Sequence, residues 1–279
     1  MLLLALDTST RQASVALCSE DSLYGEYTWL VGNNHSVELL DCVQRLMTEC
    51  DLTMQHLDAI AVATGPGSFN GVRVALATAK TLAFALKKPL VGMCTLDVIA
   101  AQQQHWRGPL CAVLEAGRSE LYAACYMFDE HRDNSGDVTY AMKRLSEYLL
   151  LTPKQLVTYI QEQANTWGGI PGERQVSPFL FCGEISAASR QALHAEMHEQ
   201  SLFVGSVQAA RHAWTLAMLA LQRLYAGNMD DPLLLEPLYL RRPSITTSTR
   251  KQPLLGGKSP RSTTTGQSQT EREEGALRR

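Results

Sequence analysis

The sequence predicts an α/β chain of two related halves followed by a tail with no core of its own. Three observations carry that expectation. Three apolar strands arrive in quick succession at the amino terminus, after which the hydrophobic period turns helical and helix alternates with strand, so that the first hundred residues read βββαβαβα. The pattern restarts after Trp106, without a clean copy of every element. From Ser244 the composition shifts to Ser, Thr, Gly, Gln and charge.

"LLLALDTS" (Leu2 to Ser9) reads as a buried strand and "ASVALCS" (Ala13 to Ser19) as a second, with Arg11 and Gln12 in the turn between them. "SLYGEYTWL" (Ser22 to Leu30) is the third. Connections this short permit only an antiparallel meander. From Ser36 to Cys50 the apolar positions Val37, Leu40, Val43, Met47 and Cys50 fall at helical spacing, Leu39 and Leu46 widen the stripe, and Asn33 or Asn34 can cap it. Leu57 to Thr64 is a strand, Phe69 to Lys87 a helix, Pro89 to Thr95 a strand and Leu96 to Trp106 a helix.

The second half opens with "PLCAVLEA" and "ELYAACYMF" around the Gly117-Arg118-Ser119 turn, then "DVTYAMKRLS". A helix capped by Thr152, the strand "PFLFCG", a helix from Ala187 to His198 and a long apolar helix from Ser206 to Tyr225 follow, the last stopped by Gly227. The expected units are 1–104, 105–205, a closing segment at 206–243 that packs back on the first half, and a tail at 244–279. Such a tail cannot bury enough apolar surface to offset its ordering entropy, so it is expected to be disordered.

Composition narrows the function. The net charge of -3 divides into +4 on the tail from Ser244 and -7 on the remainder. An acidic body lacks the clustered Lys and Arg that neutralise nucleic-acid phosphates. The seven cysteines are odd in number and form no CxxC, which fits buried thiols in a reducing compartment rather than a disulfide framework or zinc site. "MLLLALDTST" is too short an apolar run, and lacks the basic leader, for a signal peptide. No run reaches the length of a membrane span, so a cytoplasmic protein is expected.

Two loops could carry chemistry. In "ATGPGSFNGVRVALATAK" (Ala63 to Lys80) a strand enters a glycine turn and then a helix. Gly65 and Gly67 would let an anion approach the unpaired amides of the helix start. The spacing fits neither GxxxxGK[ST] nor GxGxxG, because no Lys-Ser/Thr follows Gly71 and the third glycine comes one residue late. The plainer reading makes Ser68 a helix cap. "DTST" offers Asp7, Thr8 and Ser9 at a strand end, an arrangement by which actin-like ATPases and sugar kinases place metal and phosphate. Their loops carry a glycine where Thr8 stands, and Asp, Thr and Ser are also ordinary turn residues.

No catalytic set is complete. His194 and His198 are the one i, i+4 histidine pair, in a polar segment without a third ligand, and His35 meets Leu39 instead of a second histidine. There is no GxSxG elbow. The expectation is no catalytic residue and no metal.

"LALDTST…ASVAL", "HSVELL", "GPGSFNGVRVALATAK", "LYAACY" and "EPLYLRR" occur in order. Over Met1 to Arg242 the chain resembles the TsaB (YeaZ) family of tRNA threonylcarbamoyladenosine biosynthesis proteins. The resemblance implies an actin-like (ASKHA) fold of two RNase-H-like βββαβαβα halves. It also implies a non-catalytic paralogue of TsaD, the enzyme that transfers a threonylcarbamoyl group to adenosine beside the anticodon in tRNAs reading A-starting codons. Pairing would use the two helices of the first half, with a TsaD-like paralogue as heterodimer partner or a second copy as homodimer. A TsaE-like ATPase in the larger complex and indirect contact with tRNA follow, with no tightly bound cofactor and at most weak ATP or ADP contact at the partner interface.

By spacing, the interface candidates are Leu39, Leu40, Val43, Met47, Val72, Leu76 and Ala79, while Asp7, Thr8, Ser9, Gly65 and Gly67 become a vestigial phosphate loop. Three departures from the family stand out: Asn70 replaces a usual Thr, "EAGRSELY" replaces a pattern like DARRGEVY, and the tail has no counterpart. The competing readings are an independent phosphotransferase built on Asp7 and the two loops, and a peptidase. The first predicts tight Mg-ATP binding by the monomer; the second lacks a metal pair or triad.

Overall fold

In the computed structural model the described residues are 1–31, 35–132, 138–163, 166–167 and 178–241. The expected cap at Asn33 or Asn34 and the expected disordered tail lie outside them.

The first sheet is built from β1 (Leu3–Asp7), β2 (Gln12–Cys18), β3 (Leu23–Leu30), β4 (Ala59–Ala63) and β5 (Leu90–Met93) in the order β3-β2-β1-β4-β5. β1 runs antiparallel to β2 and parallel to β4, as the short turn and the long helical crossover require. All five residues of β1 and of β4 are buried, because both faces of the sheet are covered. On one face lie α1 (His35–Glu49) and α2 (Phe69–Leu86), closing a core of Leu4, Leu6, Val15, Leu39, Val43, Ile60, Val62 and Leu76.

The second sheet repeats the plan with β6 (Leu110–Gly117), β7 (Glu120–Arg132), β8 (Val138–Arg144), β9 (Leu149–Leu151), β10 (Phe179–Glu184) and β11 (Ser201–Phe203). Its order is β11-β10-β6-β7-β8, with β9 pairing β7. β6 is antiparallel to β7 and parallel to β10, as β1 is to β2 and β4. α4 (Pro153–Gln163) and α5 (Ala187–Met197) cover one face, with Phe181, Leu156 and Leu193 in the core between.

The remaining two helices are exchanged. α3 (Thr95–Ala101) follows β5 in the chain but packs on β6, β7 and β10, while α6 (Ala213–Tyr225) follows β11 but packs on β1, β2, β4 and β5. Each half thus covers the other's sheet with its last helix, and neither core is complete alone.

The structure corrects two boundaries and adds two short strands. The long helix expected from Ser206 begins at Ala213; 206–212 is turn and extended chain, with His212 as an extended N-cap. The helix expected to run to Trp106 ends at Ala101. The three-residue strands β9 and β11 were not expected: only pairing with β7 and β10 makes them strands.

Candidate functional site

The β1–β2 turn and the β4–α2 turn meet. Asp7, Thr8 and Ser9 are buried, and Gly65 sits in the left-handed region with φ 98°. The Ser68 amide donates to the Ser9 carbonyl at 2.6 Å, and the Thr8 hydroxyl donates to the Gly71 carbonyl at 2.6 Å. Ser68 is the N-cap of α2, its hydroxyl accepting from the Gly71 amide at 3.3 Å. The structure therefore brings together all five loop residues singled out in the sequence. It also turns two of the amides an anion would seek, those of Ser68 and Gly71, toward acceptors of the chain itself.

Asp7 makes the second tie. Its Oδ1 accepts from the Ser9 amide and hydroxyl, at 2.8 and 2.6 Å. Its Oδ2 accepts from Nε of Arg211 at 2.9 Å, both side chains being 1% exposed. The same guanidinium pairs with Glu184 at the end of β10, and donates to Thr10 Oγ1 at 2.8 Å and to the Gln12 carbonyl. The Thr10 hydroxyl in turn donates to Glu184 at 2.6 Å, and the Arg211 amide to Gln12 Oε1 at 3.0 Å. Burial works against the Arg211 charge, but Asp7 and then Glu184 more than offset it, so its pKa is raised above the ordinary arginine value.

Sequence reading missed Arg211 and Glu184. A signal was present for the first: a cation inside the apolar run "QAARHAWTLAMLA". Periodicity places it on a helix, and only the fold shows that it lies before the helix, between the two sheets.

The interface candidates need correction. Leu39, Val43, Met47, Val72, Leu76 and Ala79 are all under 5% exposed and belong to the chain's own core. Each faces the sheet or the neighbouring helix, so none is free to meet a partner; Leu40, at 51% exposed, is the one that points out. On α2 the open side carries Phe69, Asn70, Arg73, Ala77, Thr81, Phe84 and Ala85. Phe84 is 76% exposed, and Phe69 stacks on Tyr239 at 5.3 Å.

Other candidates resolve locally. His194 Nδ1 lies 2.9 Å from the Ser201 hydroxyl. Among the described residues no group of three His, Cys, Asp or Glu side chains could hold a metal ion, and no helix is long and apolar enough to cross a membrane. Burial pushes the Cys94 thiol up to about 12, with Asp97 adding to the effect. In the β6–β7 hairpin Arg118 and Ser119 take left-handed φ values of 56° and 58°, and Arg241 straps the turn through the Ala116 carbonyl at 2.7 Å and through Glu120.

Two sheets of matching order that exchange their last helices define the actin-like (ASKHA) class. A family model described as "TsaD: tRNA N6-adenosine threonylcarbamoyltransferase" matches residues 29–248. The chain is 38% identical over 128 residues to "tRNA threonylcarbamoyladenosine biosynthesis protein TsaB" of Bacillus subtilis, covering 46% of this chain and 56% of that one. It is 30% identical over 171 residues to the like-named protein of Escherichia coli, covering 60% and 69%. The solved structure of YeaZ from Pseudomonas aeruginosa superposes with a TM-score of 0.64 at 25% identity, over 86% of this chain and 99% of that one. The chain belongs to the broad family that the model describes and, within it, to the TsaB (YeaZ) family.

Proposed function

We propose that this chain is a non-catalytic subunit that pairs with a TsaD-like paralogue and supports threonylcarbamoyl transfer to the adenosine beside the anticodon of tRNAs reading A-starting codons. The name carried by its relatives in B. subtilis and E. coli supports the pathway. The observation that carries the role is the contrast between the two sides of α2. Its first turn is closed on the chain's own β1–β2 turn, whereas its outer side leaves Ala77, Thr81 and Ala85 open beside Phe84. Small residues let a second helix approach closely, and an exposed aromatic beside them provides apolar area to bury.

In this reading Leu40 and the outer side of α2 form the docking surface, reaching roughly the 1,200–2,000 Å² of a standard interface together with neighbouring loops. A TsaE-like ATPase joins the assembled pair, tRNA is met through the partner, and nucleotide contact, where it occurs, is weak and shared across the interface. The same surface pairs two copies of this chain when the partner is lacking.

The test is co-purification with the host's TsaD-like protein, followed by quantification of threonylcarbamoyladenosine in tRNA after depletion of this chain. Modification should fall on depletion and return on re-expression. Unchanged modification in depleted cells overturns the reading.

A further inference from the structure

We propose that Arg211 is a built-in cation that fills the space between the ends of the two sheets, fixing Asp7 and Glu184 at one separation and keeping a metal-bound phosphate out.

The argument starts from the donors and acceptors. Asp7 ends β1 in the middle of the first sheet, and Glu184 ends β10, next to β6, in the second. Both carboxylates bond the one guanidinium of Arg211, together with the Thr10 hydroxyl and the Gln12 carbonyl. Oxygen ligands attract a hard divalent ion and a guanidinium alike, and here they are spaced around the fork of the guanidinium. They cannot hold both, because two cations at that distance in a buried site repel strongly.

Here the guanidinium has the place. Nε serves Asp7, Nη1 serves Glu184, and Nη2 serves both Thr10 and Gln12. The second Asp7 oxygen is taken by Ser9, so that carboxylate is engaged on both sides. The neighbouring α2 amide of Ser68 is bonded to Ser9 as well. A phosphate entering with its metal would have to break each of these contacts and displace a cation that is 1% exposed.

The arrangement also spans the molecule. Asp7 and Thr10 belong to the first half, Glu184 to the second, and Arg211 to the connection that carries the chain back to α6 on the first sheet. Removing one partner of a buried pair leaves the other charged and unpaired, which is strongly unfavourable. Hinging the two sheets apart would do the same, so the clamp holds the halves at a single setting.

The experiment uses the full chain without any partner, so its outcome is independent of pairing with a TsaD-like protein. In the wild type, the Arg211 Nε–H resonance should exchange with water at least 100-fold more slowly than those of exposed arginines. It should neither shift with millimolar Mg-ATP nor broaden with millimolar Mn²⁺. Fast exchange, or Mn²⁺ broadening centred on Asp7, overturns the proposal without recourse to any variant.

Arg211→Ser empties the space between the sheet ends. This variant should gain Mn²⁺ binding at least tenfold tighter than wild type, lose it again with Asp7→Asn, and show faster hydrogen exchange at the ends of β1 and β10. A folded Arg211→Ser protein that takes no Mn²⁺ and exchanges like the wild type also overturns the proposal.

Discussion

Gly67 and Ser9 touch backbone to backbone: a Cβ placed on Gly67 would lie 2.0 Å from the Ser9 carbonyl oxygen. Gly71 stands in the same relation to the Thr8 carbonyl, again at 2.0 Å. The glycines of this turn therefore make room for the chain's own β1–β2 turn. Gly67→Ala is expected to destabilise the fold by about 1–3 kcal/mol, since the obstacle is backbone that cannot swing aside. Denaturant unfolding measures it, as a lower midpoint at unchanged slope. A midpoint equal to wild type would mean the two turns are not in contact in solution.

On α2 the two sides respond differently to charge. Ala79 is 0% exposed in the core under the helix, so Ala79→Arg should fail to fold or lose more than about 4 kcal/mol. Ala77 lies on the open side, so Ala77→Arg should keep the melting temperature within a few degrees and abolish pairing with the TsaD-like partner. Circular dichroism and pull-down on the same preparations separate fold from docking. Ala77→Arg that still captures the partner moves the docking surface elsewhere.

Glu26 holds the start of α6. Its carboxylate lies 2.8 Å from His212 Nδ1 and accepts from the Trp214 amide at 3.3 Å, placing negative charge at a helix N-terminus. Glu26→Ala should cost about 0.5–2 kcal/mol, read by thermal or denaturant melts, with amide exchange rising first in the opening turn of α6. Exchange that rises instead in β3 alone would assign Glu26 to the strand edge rather than to the cap.

Alkaline pH should weaken the fold through its buried thiols, burial raising the pKa at Cys18, Cys94, Cys111 and Cys182. Burial, helped by Glu26, pushes Cys18 up to about 11; burial, helped by Asp97, pushes Cys94 up to about 12. In the unfolded chain both return to the ordinary 9.0, so above that pH the unfolded state sheds protons that the folded state keeps. Stability from these groups is complete below about pH 9 and is lost as pH rises toward 11 to 12. Melts between pH 8 and 11 measure the slope; Cys18→Ala with Cys94→Ala should lessen it, Cys111 and Cys182 carrying the remainder. An unchanged slope would place the alkaline transition on other groups.

Much of the fold was legible because its strands are unusually apolar and its turns short. β1, β2, β4 and α2 fall within a few residues of their expected bounds, and the glycine turn was readable as a helix start. The docking residues were less so. An apolar stripe such as Leu39, Val43 and Met47 announces that a helix is covered on one side, but spacing cannot say by what, and the cover is the chain's own sheet. The start of α6 failed for a related reason: the ion pairs of Arg211 draw 206–212 out of a helix that local pattern favours.

By itself the sequence determined the α/β alternation, the repeat of its two halves and the family motifs, because periodicity and turn chemistry act over a few residues. Only tertiary structure decided which helix covers which sheet, which face of α2 stays open, and that a lone arginine settles between Asp7 and Glu184. These depend on contacts that local pattern does not encode, Asp7 and Arg211 being 204 positions apart. A buried charge is stable there only once the fold has brought its counter-charges to meet it.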